Sequence, residues 1–446
     1  MSEWFYKTLS WFAGCLLIAF FFGLAVFLSH IEIKDMDLWL HLAAGRHIFE
    51  TLSIPMSDMF SCTLAHSPWI NHEWLFQTIV YAVYSAAGID GLINLKAVIV
   101  FLTFVVLLHL GYSRERQLWP VVILLLVLLV YQVRLTLRPD MFSLLFFALY
   151  MSILGLYLDQ CWSLLAVALV QIVWTNTHGF FILGPGVVFT ALAGEWLKRH
   201  ARLPFQWNAV SRLSDEEFNR LKLVFAVAVC SCLINPYFIH GALYPFHVLF
   251  TLGGESKIFF NEIQELQRPL AWDSLFSPQP YLPYKLLILI SFLSFVLNYR
   301  KIDVQAVMLW AVFLVFSLIA VRNIVFFAFT AYFVVLANLQ FISFKGLWPA
   351  RWDSEQCRAS VSLAFKIFLM LGMIHYADRL LLLRGYFDFD KFEQKSEFGG
   401  VSLRNFPYKA ADFLVDNGIK GNFLNDFNSG AYLVGRAYPD VKVFID

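Results

Sequence analysis

The chain has 446 residues, 59% of them hydrophobic and 15% charged, with a mean hydropathy of +0.66. Soluble globular domains are about 45–50% apolar and about 25% charged, so a single soluble globular protein is excluded and a polytopic membrane protein remains. A net charge of +1, from 33 Lys and Arg against 32 Asp and Glu, argues against nucleic acid, whose phosphates need a concentrated basic surface.

The first apolar run, 11–29, is longer than a signal-peptide core. The segment after it, His30 to Asp35, offers no small-residue cleavage site, so the run reads as an uncleaved first span. A crossing helix needs about 20 apolar residues. Further candidate spans lie at 92–111, 118–133, 141–158, 162–177, 180–197, 221–235, 283–298, 303–320, 324–340 and 361–381. Trp74 to Gly88 is apolar as well and reads either as a span or as a helix lying in the interface.

The positive-inside rule arbitrates. If 74–88 does not cross and the N-terminus is cytoplasmic, Lys198-Arg199 and Arg300-Lys301 lie inside with most of the basic flanks. If it crossed, these pairs would move outside. The expectation is therefore eleven spans, N-terminus in and C-terminus out, with 74–88 an external juxtamembrane helix. The inner loops are short or merely basic, except 198–220, where Ser214-Asp215-Glu216-Glu217 reads as a helix N-cap with an acidic first turn.

Polar chemistry then gathers on the outer face. The first external loop, 30–91, holds Asp35, Asp37, His41, His72 and Glu73. Later spans exit into Arg138-Pro139-Asp140, Asn176-Thr177-His178-Gly179, Asn235-Pro236-Tyr237 and Arg322-Asn323. After 384 the chain becomes charged and Gly-bearing. Phe406 to Asn417 reads as a helix closed by Gly418, and 422–424, 432–435 and 441–445 read as short strands. The division expected is a transmembrane domain, 1–383, and an external α/β segment, 384–446. A strand-like Val443-Phe444-Ile445 directly before Asp446 reads as a sequence cut from a longer chain. The six cysteines show no metal-ligand spacing.

Asp35-x-Asp37 could act as a general base or hold a divalent cation; the competing reading is solvation of a helix end. The sequel favours function. Trp39, Leu42 and Ala43 recur at helical spacing, as on an amphipathic helix lying on the bilayer with Trp at the headgroups, and acids suit its N-terminus. Asp140 could be a second acid or an ordinary first-turn acid behind Pro139. His41, His72 and His178 lie on three separate segments. They could form a metal site, but none has the i, i+4 spacing of a helical ligand pair; the competing reading is a buried His that satisfies a local carbonyl, above all for His178 beside Gly179. Glu73 reads most simply as a helix cap. Arg138 and Arg322, at outer span ends, suit bidentate contact with a phosphate or snorkelling to headgroups.

Five blocks occur in order: D-x-D-x-W-x-H-L-x-x-G from Asp35, W-x-N-H-E-W from Trp69, Arg138-Pro139, N-x-H-G from Asn176 and Asn235-Pro236-Tyr237. Together with the D-F-N-S-G-A-Y-L and V-F-I-D ending, this order resembles the GT-C glycosyltransferases. That superfamily includes protein O-mannosyltransferases, aminoarabinose transferases and oligosaccharyltransferases; the chain is most similar to an uncharacterised bacterial branch.

The resemblance implies an all-α polytopic transmembrane fold of about eleven spans, with external juxtamembrane helices and the small external α/β segment. It implies transfer of a sugar from a polyprenyl-phosphate donor to a glycan, lipid or protein acceptor at the non-cytoplasmic face of a bacterial inner membrane. Asp35, Asp37 and Asp140 would be catalytic, as a general base in metal-independent members or as ligands of a divalent ion such as Mg or Mn in oligosaccharyltransferases. His41, His72, Glu73, Arg138, Asn176, His178, Asn235 and Arg322 would bind substrate. A transporter of lipid-linked saccharides would place ionisable residues mid-span and show inverted repeats. A membrane assembly protein with an external binding domain is the third class.

Overall fold

The computed structural model describes residues 3–113, 117–253, 263–271, 276–277, 281–342, 354–379, 387–388, 393–394 and 399–445. The expected domain boundary at 383/384 and the terminal Asp446 lie outside these residues. The chain is mostly helical. In order, the helices are α1 (Glu3–Ser29), α2 (Asp37–Thr51), α3 (Trp74–Gly111), α4 (Leu118–Tyr131), α5 (Asp140–Leu156), α6 (Ser163–Thr175), α7 (Leu183–His200), α8 (Asp215–Ser231) and α9 (Phe238–Gly253). They continue with α10 (Leu282–Leu297), α11 (Val304–Ile319), α12 (Ile324–Leu339) and α13 (Glu355–Arg379).

Among the described residues, five helical stretches are long and apolar enough to cross a membrane: Phe5–Ser29, Trp74–Gly111, Gly179–His200, Val321–Leu339 and Gln356–Arg379. Six shorter apolar helices accompany them. The protein is an integral membrane protein. On α1, Leu17, Phe21, Leu24, Ala25 and Leu28 form one buried stripe, whereas Phe12, Leu16 and Phe20 remain 56%, 54% and 39% exposed on the other face. Such an apolar outer face suits hydrocarbon rather than water. Helix α12 is buried nearly throughout and forms the hub of the bundle.

Helix α3 is two helices in line. They break at Gly88, whose φ of 60° and ψ of −151° is open to glycine and costly for other residues. The break falls where the sequence separates the expected interfacial helix, 74–88, from the span that follows. Ser214 caps α8 in a reciprocal capping box with Glu217, so this helix begins at Asp215, earlier than the apolar run at 221. Helix α9 follows the Asn235-Pro236-Tyr237 turn, where the expected spans leave a gap up to 283.

The C-terminal unit contains β1 (Phe387–Asp388) paired with β2 (Glu393–Gln394), then α14 (Tyr408–Asp416), β3 (Gly421–Phe423), α15 (Phe427–Ala437) and β4 (Val441–Val443). Strands β3 and β4 are parallel. The expected strand at 432–435 is instead part of α15. Ala431 and Val434 fall on its buried face, and a four-residue apolar run is too short to separate the two periods.

The role expected for Trp39 is also overturned. Its ring is buried against Tyr432 and Phe406, at centroid distances of 4.9 and 5.7 Å, rather than lying at a membrane surface. Gly435 permits this approach, since a Cβ there would stand 2.7 Å from Trp39 Cβ.

Candidate active site

The C-terminal unit holds the acidic loop between α1 and α2. Ile33 pairs with Val401 in a parallel bridge; its N–H donates to Gly400 O at 2.9 Å and its carbonyl accepts from Ser402 N at 3.0 Å. From α3, Lys96 Nζ donates to Ile31 O at 3.0 Å. Asp35 follows this clamp, and its Oδ1 accepts the Asp37 N–H at 3.2 Å. Asp37 opens α2, where the helix terminus favours a carboxylate.

From here an ionic chain runs across the ends of three elements. Arg138 donates from Nε to Asp35 Oδ2 at 2.5 Å and from Nη2 to Asp35 Oδ1 at 2.9 Å. The same Nη2 lies 3.1 Å from Asp37 Oδ2. Arg138 Nη1 donates to Glu265 Oε2 at 2.7 Å, and Arg134 Nη1 donates to the same oxygen at 2.5 Å. Arg134 Nη2 then reaches Asp140 Oδ2, also at 2.5 Å. Asp140 makes no cap hydrogen bond at the start of α5; its partner is the arginine.

The two acids of the D-x-D pair differ. The Asp35 side chain is 2% exposed and gives both oxygens to Arg138, whereas that of Asp37 is 56% exposed. Partial desolvation and the neighbouring Asp35 carboxylate push the Asp37 carboxyl above its usual range, despite Arg138. Burial opposes ionisation of Glu265, but Arg134 and Arg138 outweigh it and hold the carboxyl low.

A second cluster centres on Glu73. Its Oε1 lies 3.5 Å from His72 Nε2 and 3.9 Å from His178 Nε2, and its Oε2 lies 3.9 Å from His41 Nδ1. Glu73 sits at the N-cap position of α3 without capping it, contrary to the simplest sequence reading. Burial works against its charge, but the three imidazoles prevail and bring its pKa down to about 2. Trp174 Nε1–H donates to Ser143 Oγ at 2.7 Å, and that hydroxyl lies 2.8 Å from His178 Nδ1. With the hydroxyl hydrogen on Nδ1, the His178 proton sits on Nε2, facing Glu73. Burial brings the His178 pKa down to about 4. The ring of His72 lies 4.4 Å from that of Tyr244.

The two clusters share their supports. Asp37 and His41 are four residues apart on α2; Asp140 and Ser143 are three apart on α5. Helical neighbours at these spacings lie on one face. Arg322, in a short 3-10 turn before α12, places its guanidinium 5.1 Å from the Phe180 ring centre. No carboxylate among the described residues stands within ion-pair distance of it. Buried polar atoms without a hydrogen-bond partner are uncommon, yet here they include Tyr131 Oη, Arg134 Nε, Asp140 Oδ1, His41 Nδ1 and Arg322 Nε.

The structure thus brings together Asp35, Asp37, Arg138 and Asp140, and separately His41, His72, Glu73 and His178. Asn176 and Asn235 do other work. Asn176 Oδ1 accepts from Trp74 Nε1 while its Nδ2 donates to Ile172 O and Ile234 O. The amide of Asn235 folds its own turn, bonding Cys232 O, Phe238 O and the Tyr237 N–H. Glu265 and Arg134 were not anticipated as site residues. Both belong to the ionic chain, but nothing in the sequence spacing links Glu265 to residues 127 and 131 positions away.

A divalent ion on Asp35, Asp37 and Asp140 does not fit this arrangement. Guanidinium groups stand between the carboxylates that would have to share it, and Asp35 has both oxygens on Arg138. Among the described residues no three His, Cys, Asp or Glu side chains converge as a metal site.

No family model matches the chain, and no curated protein is significantly similar to it. Solved structures are similar in fold. The crystal structure of the Archaeoglobus fulgidus oligosaccharyltransferase in the apo form aligns with a TM-score of 0.60 at 11% identity, covering 100% of this chain and 65% of that one. The same enzyme tethered to an acceptor peptide containing the NVT sequon gives 0.60 at 10% identity, with the same coverages. Archaeal oligosaccharyltransferase AglB from Archaeoglobus fulgidus, in complex with an inhibitory peptide and a dolichol-phosphate, gives 0.55 at 8% identity, covering 96% of this chain and 64% of that one. The chain therefore spans about two thirds of the length of these enzymes, and at such identities the likeness concerns the fold. The chain shares its overall fold with these oligosaccharyltransferase structures.

Proposed function

We propose that the chain is a glycosyltransferase that moves a sugar from a polyprenyl-phosphate carrier to an acceptor at the non-cytoplasmic face of a bacterial inner membrane. Eleven spans, with the N-terminus cytoplasmic and residues 399–445 external, accompany this reading. The observation that carries it is the pairing of an exposed, more basic carboxylate, Asp37, with a fixed array of arginines at one end of an apolar bundle.

Asp37 takes the proton of the acceptor hydroxyl, because it is open to solvent where Asp35 is locked. The acceptor oxygen bonds the anomeric carbon as the bond from that carbon to the phosphate oxygen breaks. The electron pair leaves with the polyprenyl phosphate. Arg322, a cation with no carboxylate partner among the described residues, receives the phosphate charge. The leaving group is already an activated phosphate, so no carboxylic acid has to protonate it. The rings of His41 and His72, oriented by Glu73, offer hydrogen bonds to sugar hydroxyls.

The test is mass spectrometry of lipids co-purified with the full chain, followed by transfer assays in vesicles carrying polyprenyl-phosphate sugars. A bound polyprenyl phosphate that is lost in Arg322→Ala supports the reading. No such lipid and no transfer from any donor tried would refute it.

A further inference from the structure

The GT-C resemblance leaves two modes for acids of the first external loop, a metal-free general base or the ligand of a divalent ion, and the arginines discriminate between them. Hard divalent cations take several oxygen ligands at about 2.0–2.6 Å, with lone pairs aimed at one point. Here those lone pairs aim at guanidinium hydrogens. Both Asp35 oxygens and Asp37 Oδ2 lie on Arg138. Glu265 Oε2 is shared by Arg138 and Arg134, and Asp140 Oδ2 lies on Arg134. The carboxylate oxygens left free of arginine belong to three residues, Asp37, Glu265 and Asp140, at different stations of the chain.

A cation placed among them would stand beside two fixed positive groups, which repel it. Arginine does not relieve this by losing its proton, as a lysine could. Its planar fork also matches carboxylates in the bidentate manner seen at Asp35. The ionic chain also tethers Arg138 from two sides, by Asp35 and Asp37 and by Glu265 of the 263–267 segment.

We propose that this site works without a divalent cation, Arg138 being the built-in counter-ion that fixes Asp35 and leaves Asp37 as the base. The role given to Asp37 rests on the transferase reading above, but the test of the metal question does not require transfer.

The probe is Mn²⁺ alone, titrated into the purified full chain at neutral pH and followed by electron paramagnetic resonance of the free ion. The wild-type chain shows no saturable site below millimolar Mn²⁺. Arg138→Ala leaves Asp35, Asp37 and Glu265 around one opening and gains a site at least tenfold tighter, which a further Asp35→Asn removes. One tightly held Mn²⁺ per wild-type chain, lost in Asp35→Asn, would overturn the proposal. So would a folded Arg138→Ala that binds Mn²⁺ no better than wild type. If that variant does not fold, as judged by gel filtration and melting, Arg138→Gln replaces it, and the wild-type titration decides independently. Once a donor is known, transfer in EDTA stays within twofold of the untreated rate; its loss, with recovery on adding Mn²⁺, would overturn metal independence while upholding the transferase reading.

Discussion

Arg138 and Asp35, 103 residues apart in sequence, are joined by two hydrogen bonds of 2.5 and 2.9 Å that engage both carboxylate oxygens. This bond divides the labour of the D-x-D pair. One acid is buried and immobilised, and the other stands beside it with a raised affinity for protons. A base must meet its substrate, so an acid with no free oxygen serves better as a strut.

The two acids should therefore fail differently. Asp37→Asn is expected to lower transfer about 100-fold or more, the scale of a lost general base, with little change in the melting temperature. Asp35→Asn is expected to lower both, because removing one partner of a buried ion pair costs about 3–5 kcal/mol. Thermal melts in detergent alongside vesicle transfer assays check this. Equal melting temperatures for the two variants would remove the distinction.

The Glu73 cluster predicts a pH dependence of stability. His178 is held neutral, with a folded pKa near 4 against 6.5 for the free side chain. The unfolded chain therefore binds more protons between these values, and stability present above about pH 6.5 is lost as pH falls toward 4. The loss from this group is on the order of 3 kcal/mol. Glu73, depressed to about 2 from 4.5, contributes stability above about pH 4.5 that is lost only toward pH 2. Between pH 7 and 5 the histidine should dominate. His178→Gln should flatten the fall in melting temperature across that interval; an unchanged slope would assign it to other groups.

What could be read in the sequence was local. Apolar runs place the helices of the bundle, Ser214 to Glu217 announces the start of α8, and Asp35, His72 and Arg138 stand out as polar residues beside apolar runs. The break at Gly88 falls at the end of the apolar stretch Trp74 to Gly88, which the sequence sets apart from the run that follows. What depended on distant chain was not legible. Glu265 acquires its role from Arg134 and Arg138, and no pattern around it marks that pairing. Trp39 looked like an interfacial residue because its cover, Phe406 and Tyr432, arrives more than 360 residues later. Asn176 and Asn235 looked like ligands for substrate because a motif shows the amide but not the backbone groups that occupy it.

The cover over Trp39 should stiffen the acidic loop. The 399–402 stretch bonds His30 and Ile33, just before Asp35, and Trp39 anchors the unit that carries it. Trp39→Ala removes a buried ring, a change that costs about 3–5 kcal/mol in a packed core. Hydrogen exchange should therefore accelerate at residues 30–37 and at 399–406 together. Acceleration confined to α2 would mean that the C-terminal unit does not hold the loop.

The orientation of the whole can be tested with single cysteines in a background cleared of the six natural ones, of which Cys161 and Cys230 are exposed. Ala65 and Asn417 are both exposed, the first on the loop that carries Ser61 and the second at the end of α14. The Ser61–Val443 bridge ties their two units together, so both positions must share a side. Gln206 is exposed in the loop between α7 and α8, next to Lys198, Arg199 and Arg202. Basic residues favour the cytoplasmic side of short loops, while Asp35 and Glu73 stay with the first loop. In intact cells a membrane-impermeant maleimide should therefore label Ala65→Cys and Asn417→Cys and leave Gln206→Cys unlabelled until the membrane is opened. Labelling of Gln206→Cys alone would invert the topology and place the candidate site in the cytoplasm, where a donor facing outward could not reach it.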